Sequence, residues 1–177
     1  MLRRLVATTA LLPLLLLPAC SDEEDPRPPI NSPTSPTPTP SPTQSATVPA
    51  DETPEHFIRR WVEVSNAVQL TGDASPYRAL TSNCDACDGF ADALEKIYAE
   101  GGSVSTEGMK VTSLSLTGSG DATRTYKLNA VLAPTVVKDA DGRTTKTFDG
   151  GPAFYLLELR REPNAAWRVI SYGKLDK

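Results

Sequence analysis

A chain of 177 residues with Lys+Arg 18 against Asp+Glu 22 carries a formal charge of -4, which supplies neither a polycationic face for nucleic acid nor the bulk acidity of a disordered acidic protein. Hydrophobic residues at 39% are enough for one core, yet Pro 16 against Gly 11 is too much proline for a compact domain of this size unless the prolines are segregated. They are: eleven precede residue 53, and only Pro54, Pro76, Pro134, Pro152 and Pro163 follow it.

At the N-terminus, Arg3 and Arg4 lead into an apolar run of 13 residues, Leu5 to Leu17, which ends in Leu17-Pro18-Ala19-Cys20. The run is shorter than the ~20 residues a spanning helix needs and matches the h-region of an export signal behind a basic n-region. A small residue directly before a cysteine resembles the lipobox of bacterial lipoproteins, in which the thiol is acylated and the chain is cut before it. That resemblance implies a signal peptide over 1–19 and a lipid-anchored Cys20 as the first mature residue. Pro18 departs from the commonest lipobox, and an ordinary signal peptide cleaved nearby is the competing reading. Two or more acyl chains, at ~0.8 kcal/mol per buried methylene, hold a domain stably at a membrane surface.

Residues 20–53 then read as a stalk. Nine prolines among Ser and Thr, with almost no large apolar side chain, cannot bury enough surface to offset ordering entropy, so a disordered, partly polyproline II linker is expected. At ~3.1 Å per residue it would reach up to roughly 100 Å from the anchor. Its Thr-Pro and Ser-Pro steps suit either an O-glycosylated stalk or an unmodified spacer.

From Thr53 the texture changes to that of a folded domain over 54–177. Thr53 as N-cap, Pro54 at the first helical position and Glu55 in the first turn start a helix. Phe57, Ile58, Trp61, Val62, Val64 and Val68 give it an apolar face, and it ends near Gly72. Ser75-Pro76 repeats the cap-plus-proline start and opens a short helix through Leu80. A third helix carries Cys87, Phe90, Ala91, Leu94, Ile97 and Tyr98 on one face and stops at Gly101-Gly102. The period then becomes alternating. Thr112, Leu114 and Leu116 mark one strand; Tyr126, Leu128, Ala130 and Leu132 mark a second. Asp141-Gly142 is a hairpin turn leading into a long strand through Ala153, Tyr155, Leu157 and Leu159, kinked or bulged at Gly150-Gly151-Pro152. Pro163-Asn164 turns the chain into Trp167, Val169 and Ser171. Three helices followed by a four-stranded antiparallel meander predict an α+β fold with helices on one face of the sheet.

This order, with Phe57 and Trp61 on the first helix, the Thr71-Gly72-Asp73 connection and the final Trp167-Arg168-Val169, resembles the nuclear-transport-factor-2-like (NTF2-like), cystatin-like superfamily. The stretch from Phe57 through Cys84-Asp85-Ala86-Cys87 to Tyr98-Ala99-Glu100-Gly101-Gly102 looks like an uncharacterised domain family of actinobacterial lipoproteins. The resemblance spans about residues 54–175. It implies a curved sheet wrapped around helices, a cone that in relatives holds a ligand, holds a catalytic site or is simply filled.

With Cys20 acylated, Cys84 and Cys87 remain as an even pair in an exported chain, where thiols oxidise. A structural disulfide is expected; a redox Cys-x-x-Cys at a helix N-terminus is the sharper alternative, although Asp85 disfavours thiolate. Two cysteines and the one distant histidine do not make a four-ligand zinc site. That histidine, His56, lies in a first helical turn, where the dipole does not favour its charged form. Glu158 falls on the strand face of Phe154, Leu156 and Arg160 and is expected to pair across the sheet. Trp61, Tyr98, Tyr126, Tyr155, Trp167 and Tyr172 are most of the large aromatics of the domain, and several are expected to converge between helices and sheet, as core packing or, for Trp61, Tyr98, Tyr126, Tyr155 and Trp167, as the lining of a pocket. Residues 54–177 hold 15 basic and 16 acidic side chains, and no phosphate loop, nucleophile elbow or metal-ligand spacing is present, so no cofactor and no nucleic-acid partner is expected.

The expected function is that of a non-enzymatic binding or accessory module, lipid-anchored through Cys20 at the outer face of the cytoplasmic membrane, with an envelope protein or a small molecule as partner. The alternative is a small-molecule binder or isomerase- or dehydratase-like enzyme using the cone, and the third a thiol-disulfide oxidoreductase.

Overall fold

Thr53 opens the fold as the sequence predicts. In the computed structural model, which describes residues 52–175, its extended backbone and hydroxyl cap helix α1 (Pro54–Thr71), the hydroxyl accepting the His56 N–H at 3.3 Å. Gly72 closes the helix in the left-handed conformation at φ 73°, its N–H donating to the Val68 carbonyl. The short α2 (Ser75–Arg78) follows. Ser75, expected to be its cap, is instead the first helical residue. Asp73 does the local work, its carboxylate accepting the Ser75 N–H at 3.0 Å. α3 (Asp85–Ala99) is capped by Cys84, whose sulfur accepts the Cys87 N–H at 3.3 Å.

The single four-stranded meander requires correction: among the described residues seven strands form two antiparallel sheets. β2 (Met109–Ser119), β3 (Thr123–Leu132), β6 (Gly151–Arg161) and β7 (Trp167–Lys174) are the four expected strands and lie in that order. A second sheet, ordered β1-β4-β5, consists of β1 (Ser103–Ser105), β4 (Thr135–Lys138) and β5 (Thr144–Phe148). The Asp141-Gly142 turn joins β4 to β5 there. Gly150-Gly151 does not kink one long strand; it divides two strands that belong to different sheets. A Cβ at Gly150 would press into the Leu132 carbonyl and Pro134, so the crossing is tight enough to demand glycine.

Bulges also shift the expected faces. An extra residue at Thr112 sets Val111 opposite Ala130 and Leu114 opposite Leu128, so Val111 and Leu114 pack inward and Thr112 does not; Leu116, opposite Tyr126 on the edge strand, is 54% exposed. At Ile170 a bulge in β7 ends the inward run of Trp167 and Val169 and directs Tyr172, not Ser171, into the core. β3 and β6 alternate without interruption, burying Tyr126, Leu128 and Ala130 on one and Ala153, Tyr155, Leu157 and Leu159 on the other.

Helices cover that face. Phe57, Ile58, Trp61 and Val68 of α1 and Cys87, Ala91 and Leu94 of α3 pack against Leu128, Leu157, Leu159 and Val169. Each fully buried aliphatic or aromatic side chain contributes about 1.5–3 kcal/mol relative to exposure. The free edge of β7 is covered by the loop after α2: the Ser82 N–H donates to the Val169 carbonyl and the Val169 N–H to the Leu80 carbonyl. No helix among the described residues is long and apolar enough to cross a membrane. The expected signal peptide, Cys20 and the stalk up to Asp51 lie outside the described residues.

Candidate functional site

Two sheets rather than one leave space between them and the helices. A cavity of about 320 Å³ lies there, at the lower end of the range typical of small-ligand sites. Trp61, Ser65 and Gln69 of α1 line one wall and Phe90, Leu94 and Ile97 of α3 another. The small sheet adds Val104, Val137 and Phe148, and the large sheet Leu132, Tyr155 and Tyr172; Tyr77 of α2 completes the interior. Phe148, 48% exposed, and the exposed Asp149 stand at the rim.

The aromatic groups form a chain of edge and face contacts. Trp61 meets Tyr77 at 6.0 Å between ring centroids and Tyr172 at 5.2 Å, the latter edge-on. Tyr77 meets Phe90 at 5.3 Å, and Tyr155 stacks on Tyr172 at 5.0 Å. Such pairs add about 0.5–1.5 kcal/mol beyond their buried area. Their polar tips are less completely used than is usual in a core. Ser65 donates back to the Trp61 carbonyl at 2.8 Å and is satisfied within its helix, but the wholly buried Trp61 Nε1 has no acceptor among the described residues. Tyr77, Tyr155 and Tyr172 also line the cavity, the hydroxyls of Tyr155 and Tyr172 lying beside each other.

Burial pushes the Tyr77 hydroxyl far above the ordinary phenol value; the nearby Trp61 N–H opposes the shift without reaching hydrogen-bonding geometry, and Asp88 adds to it. Tyr172 is pushed up by burial and then by the Tyr155 and Tyr77 hydroxyls beside it. These phenols stay protonated at neutral pH. They offer hydrogen bonds and do not act as bases.

Of the five aromatics expected as pocket lining, Trp61 and Tyr155 line the cavity and three others are engaged elsewhere. The Tyr98 hydroxyl donates to the Gln69 carbonyl at 2.8 Å, tying α3 to α1. Tyr126 donates to Glu55 at 2.6 Å, and the Trp167 indole donates to the Glu52 carbonyl at 3.0 Å. Tyr77 and Phe90 take their places, together with Tyr172, which is among the six aromatics of which several are expected to converge. Tyr77 sits in a four-residue helix too short to show a period, and Tyr172 is turned inward only by the Ile170 bulge. The small-sheet wall escaped notice because β1 has three residues and β5 is exposed throughout.

Cys84 and Cys87 form a disulfide with Cα atoms 5.2 Å apart, and both residues are buried, which closes the pair to a bulky exchange partner. His56 is exposed in the first turn of α1. Glu158 lies opposite Thr125 and Ser171 in register and, among the described residues, makes no ion pair, so the expected charge pairing across the sheet is corrected. Among the described residues no cluster of three or more His, Cys, Asp or Glu is arranged to hold a metal ion.

Residues 30–171 match the model of a family of unknown function, DUF6318. No curated protein matches the chain. Among solved structures, it is similar to the intermembrane space region of the chloroplast protein ARC6, at 11% identity, TM-score 0.49, over 70% of this chain and 94% of that one. It is also similar to an NTF-2 like protein of unknown function from Shewanella oneidensis MR-1, at 12% identity, TM-score 0.42, over 70% of this chain and 100% of that one. A third is the beta subunit of benzoate 1,2-dioxygenase from Burkholderia mallei ATCC 23344, at 11% identity, TM-score 0.46, over 70% and 87% of the two chains. None of these likenesses carries an activity over to this chain.

Proposed function

The chain belongs to the family of unknown function DUF6318, and because membership brings no activity with it, we propose from its own residues that it is a small-ligand-binding module of the cell envelope. In this reading the domain is an NTF2-like cone, displayed on the Pro/Ser/Thr-rich stalk and held by acylated Cys20 at the outer face of the cytoplasmic membrane. The observation that carries the binding role is the cavity of about 320 Å³ lined by Trp61, Tyr77, Tyr155 and Tyr172, on whose wall the buried Trp61 indole N–H has no acceptor among the described residues. Buried polar groups are ordinarily hydrogen-bonded; one left unpaired on a cavity wall is suited to meet a ligand. Binding without turnover is favoured because burial holds the interior Tyr77 and Tyr172 phenols in the neutral form. An isomerase- or dehydratase-like site would need an inward carboxylate or histidine, and the one carboxylate of the lining, Asp149, is exposed.

The address is supported by Arg3, Arg4, the Leu5–Leu17 run and Ala19-Cys20. Cys20→Ser is expected to move the protein from the membrane fraction to the medium, and equal retention would refute the anchor. The binding role is tested separately by thermal unfolding in a protein-free, low-molecular-mass extract of the host envelope. A ligand at a hundred times its Kd stabilises by about 2.7 kcal/mol, a shift of several degrees. No shift at any extract concentration would count against a small-molecule ligand.

A further inference from the structure

The wall of the cavity has one consistent chemistry. Every lining side chain is uncharged except Asp149, which is exposed at the rim. An ion drawn inside would lose its water and meet no opposite charge, a transfer that proteins avoid unless the charge is paired. The aromatic faces do not form a cage for a cation, because they are used on one another: Tyr155 stacks on Tyr172, and Trp61 is packed between Tyr77 and Tyr172. Polar groups are offered to the interior where Tyr155 and Tyr172 stack at 5.0 Å between ring centroids, which sets two phenol hydroxyls side by side on the lining. Size adds a further limit. An apolar cavity of about 150 Å³ takes benzene, and this one, at about 320 Å³, has about twice that room.

Resting on the reading of the cavity as a ligand site, we infer that it selects an uncharged molecule of about two fused rings carrying a hydroxyl or carbonyl that meets the Tyr155 and Tyr172 hydroxyls. The apolar body fills the space between Leu94, Ile97 and Val137, and the polar group gives orientation. Charge exclusion gives the specificity.

Isothermal titration calorimetry on the full chain bearing Cys20→Ser, at pH 7, tests this with four probes of one shape: 2-naphthol, naphthalene, 2-naphthoate and 2-naphthylmethylammonium. 2-Naphthol is expected to bind, with both ions at least about tenfold weaker. A Tyr155→Phe/Tyr172→Phe double variant is expected to lose about threefold to tenfold in affinity for 2-naphthol while binding naphthalene as before, which also shows that its fold is intact. Equal or tighter binding of either ion overturns the neutral-ligand inference and leaves the cavity reading standing. Unchanged 2-naphthol affinity in the double variant overturns the role of the two hydroxyls. No binding of any of the four probes overturns the cavity reading and the inference with it.

Discussion

The Trp167 indole N–H donates to the Glu52 carbonyl at 3.0 Å across 115 residues of sequence, fastening the first described residue to the start of the last strand. The Glu52 side chain completes the clasp, its two oxygens taking Arg60 Nε at 2.8 Å and an Arg60 terminal nitrogen at 2.6 Å. Its carboxylate is nearly enclosed and holds the Arg60 guanidinium above its ordinary value, chiefly through those hydrogen bonds. Glu52, which composition assigns to the stalk, is therefore bound to the domain. Trp167→Phe keeps most of the packing and removes the donor, with an expected loss of about 1–2 kcal/mol in urea unfolding. An unchanged midpoint would detach this segment from the stability of the domain.

Tyr126 and Glu55 link β3 to the first turn of α1 and give stability a defined pH dependence. The Glu55 carboxyl is held below its ordinary 4.5, first by the Tyr126 hydroxyl, with Thr53 and its own backbone N–H helping against burial. Its contribution is thus complete above about pH 4.5 and is lost as pH falls through the lowered value. Tyr126 is pushed up from 10.0 to about 12, first by burial and then by Glu55. Its contribution is complete below pH 10 and is lost as pH rises toward 12. Tyr126→Phe is expected to cost about 1–2 kcal/mol at pH 7 and progressively less as pH falls through the lowered Glu55 value, where the wild type loses the charged acceptor. A cost independent of pH would contradict the pairing.

Gly72 is fixed by two independent constraints: φ of 73°, and a Tyr98 ring lying where a Cβ would stand. Gly72→Ala is expected to cost about 2 kcal/mol or more, since it strains the cap and pushes on the Tyr98 that bonds to Gln69. Gly89 is the contrast. It lies within α3 with nothing near its Cβ position, so Gly89→Ala is expected to stabilise by about 0.5–1 kcal/mol. Paired thermal melts read both signs.

Cys84 and Cys87 close a loop with a sequence separation of 3, and so short a loop removes little unfolded-state entropy. Loss of the pair in Cys84→Ser/Cys87→Ser is expected to cost about 2 kcal/mol. Because both cysteines are buried, mild reductant is expected to leave them oxidised until the domain unfolds. Free thiols appearing under native conditions, by alkylation and mass shift, would revive an exchange role.

The helices were legible because each carries its own start, stop and period: Thr53-Pro54 and Gly72 for α1, Gly101-Gly102 for α3. β3 and β6 were legible for the same reason, as uninterrupted alternation. The small sheet was hidden because β5 is exposed and β1 is three residues long, so neither shows a pattern; their pairing with β4 is a tertiary fact. The aromatic convergence was read only in part. Trp61 and Tyr155 sit on regular elements and point where the period says. Tyr172 is reoriented by a bulge that no local rule announces, while the tips of Tyr98, Tyr126 and Trp167 are claimed by Gln69, Glu55 and Glu52, partners 29 to 115 residues away.

The central claim is that the interior space accepts a small molecule, and a native mass spectrum of the protein gently purified from its host envelope tests it most directly. The wild type should be compared there with Val137→Phe, which fills the cavity from β4. The account predicts a reproducible small-molecule adduct on the wild type that is absent from the variant. A bare mass for both, or an adduct that persists undiminished when the space is filled, would contradict it.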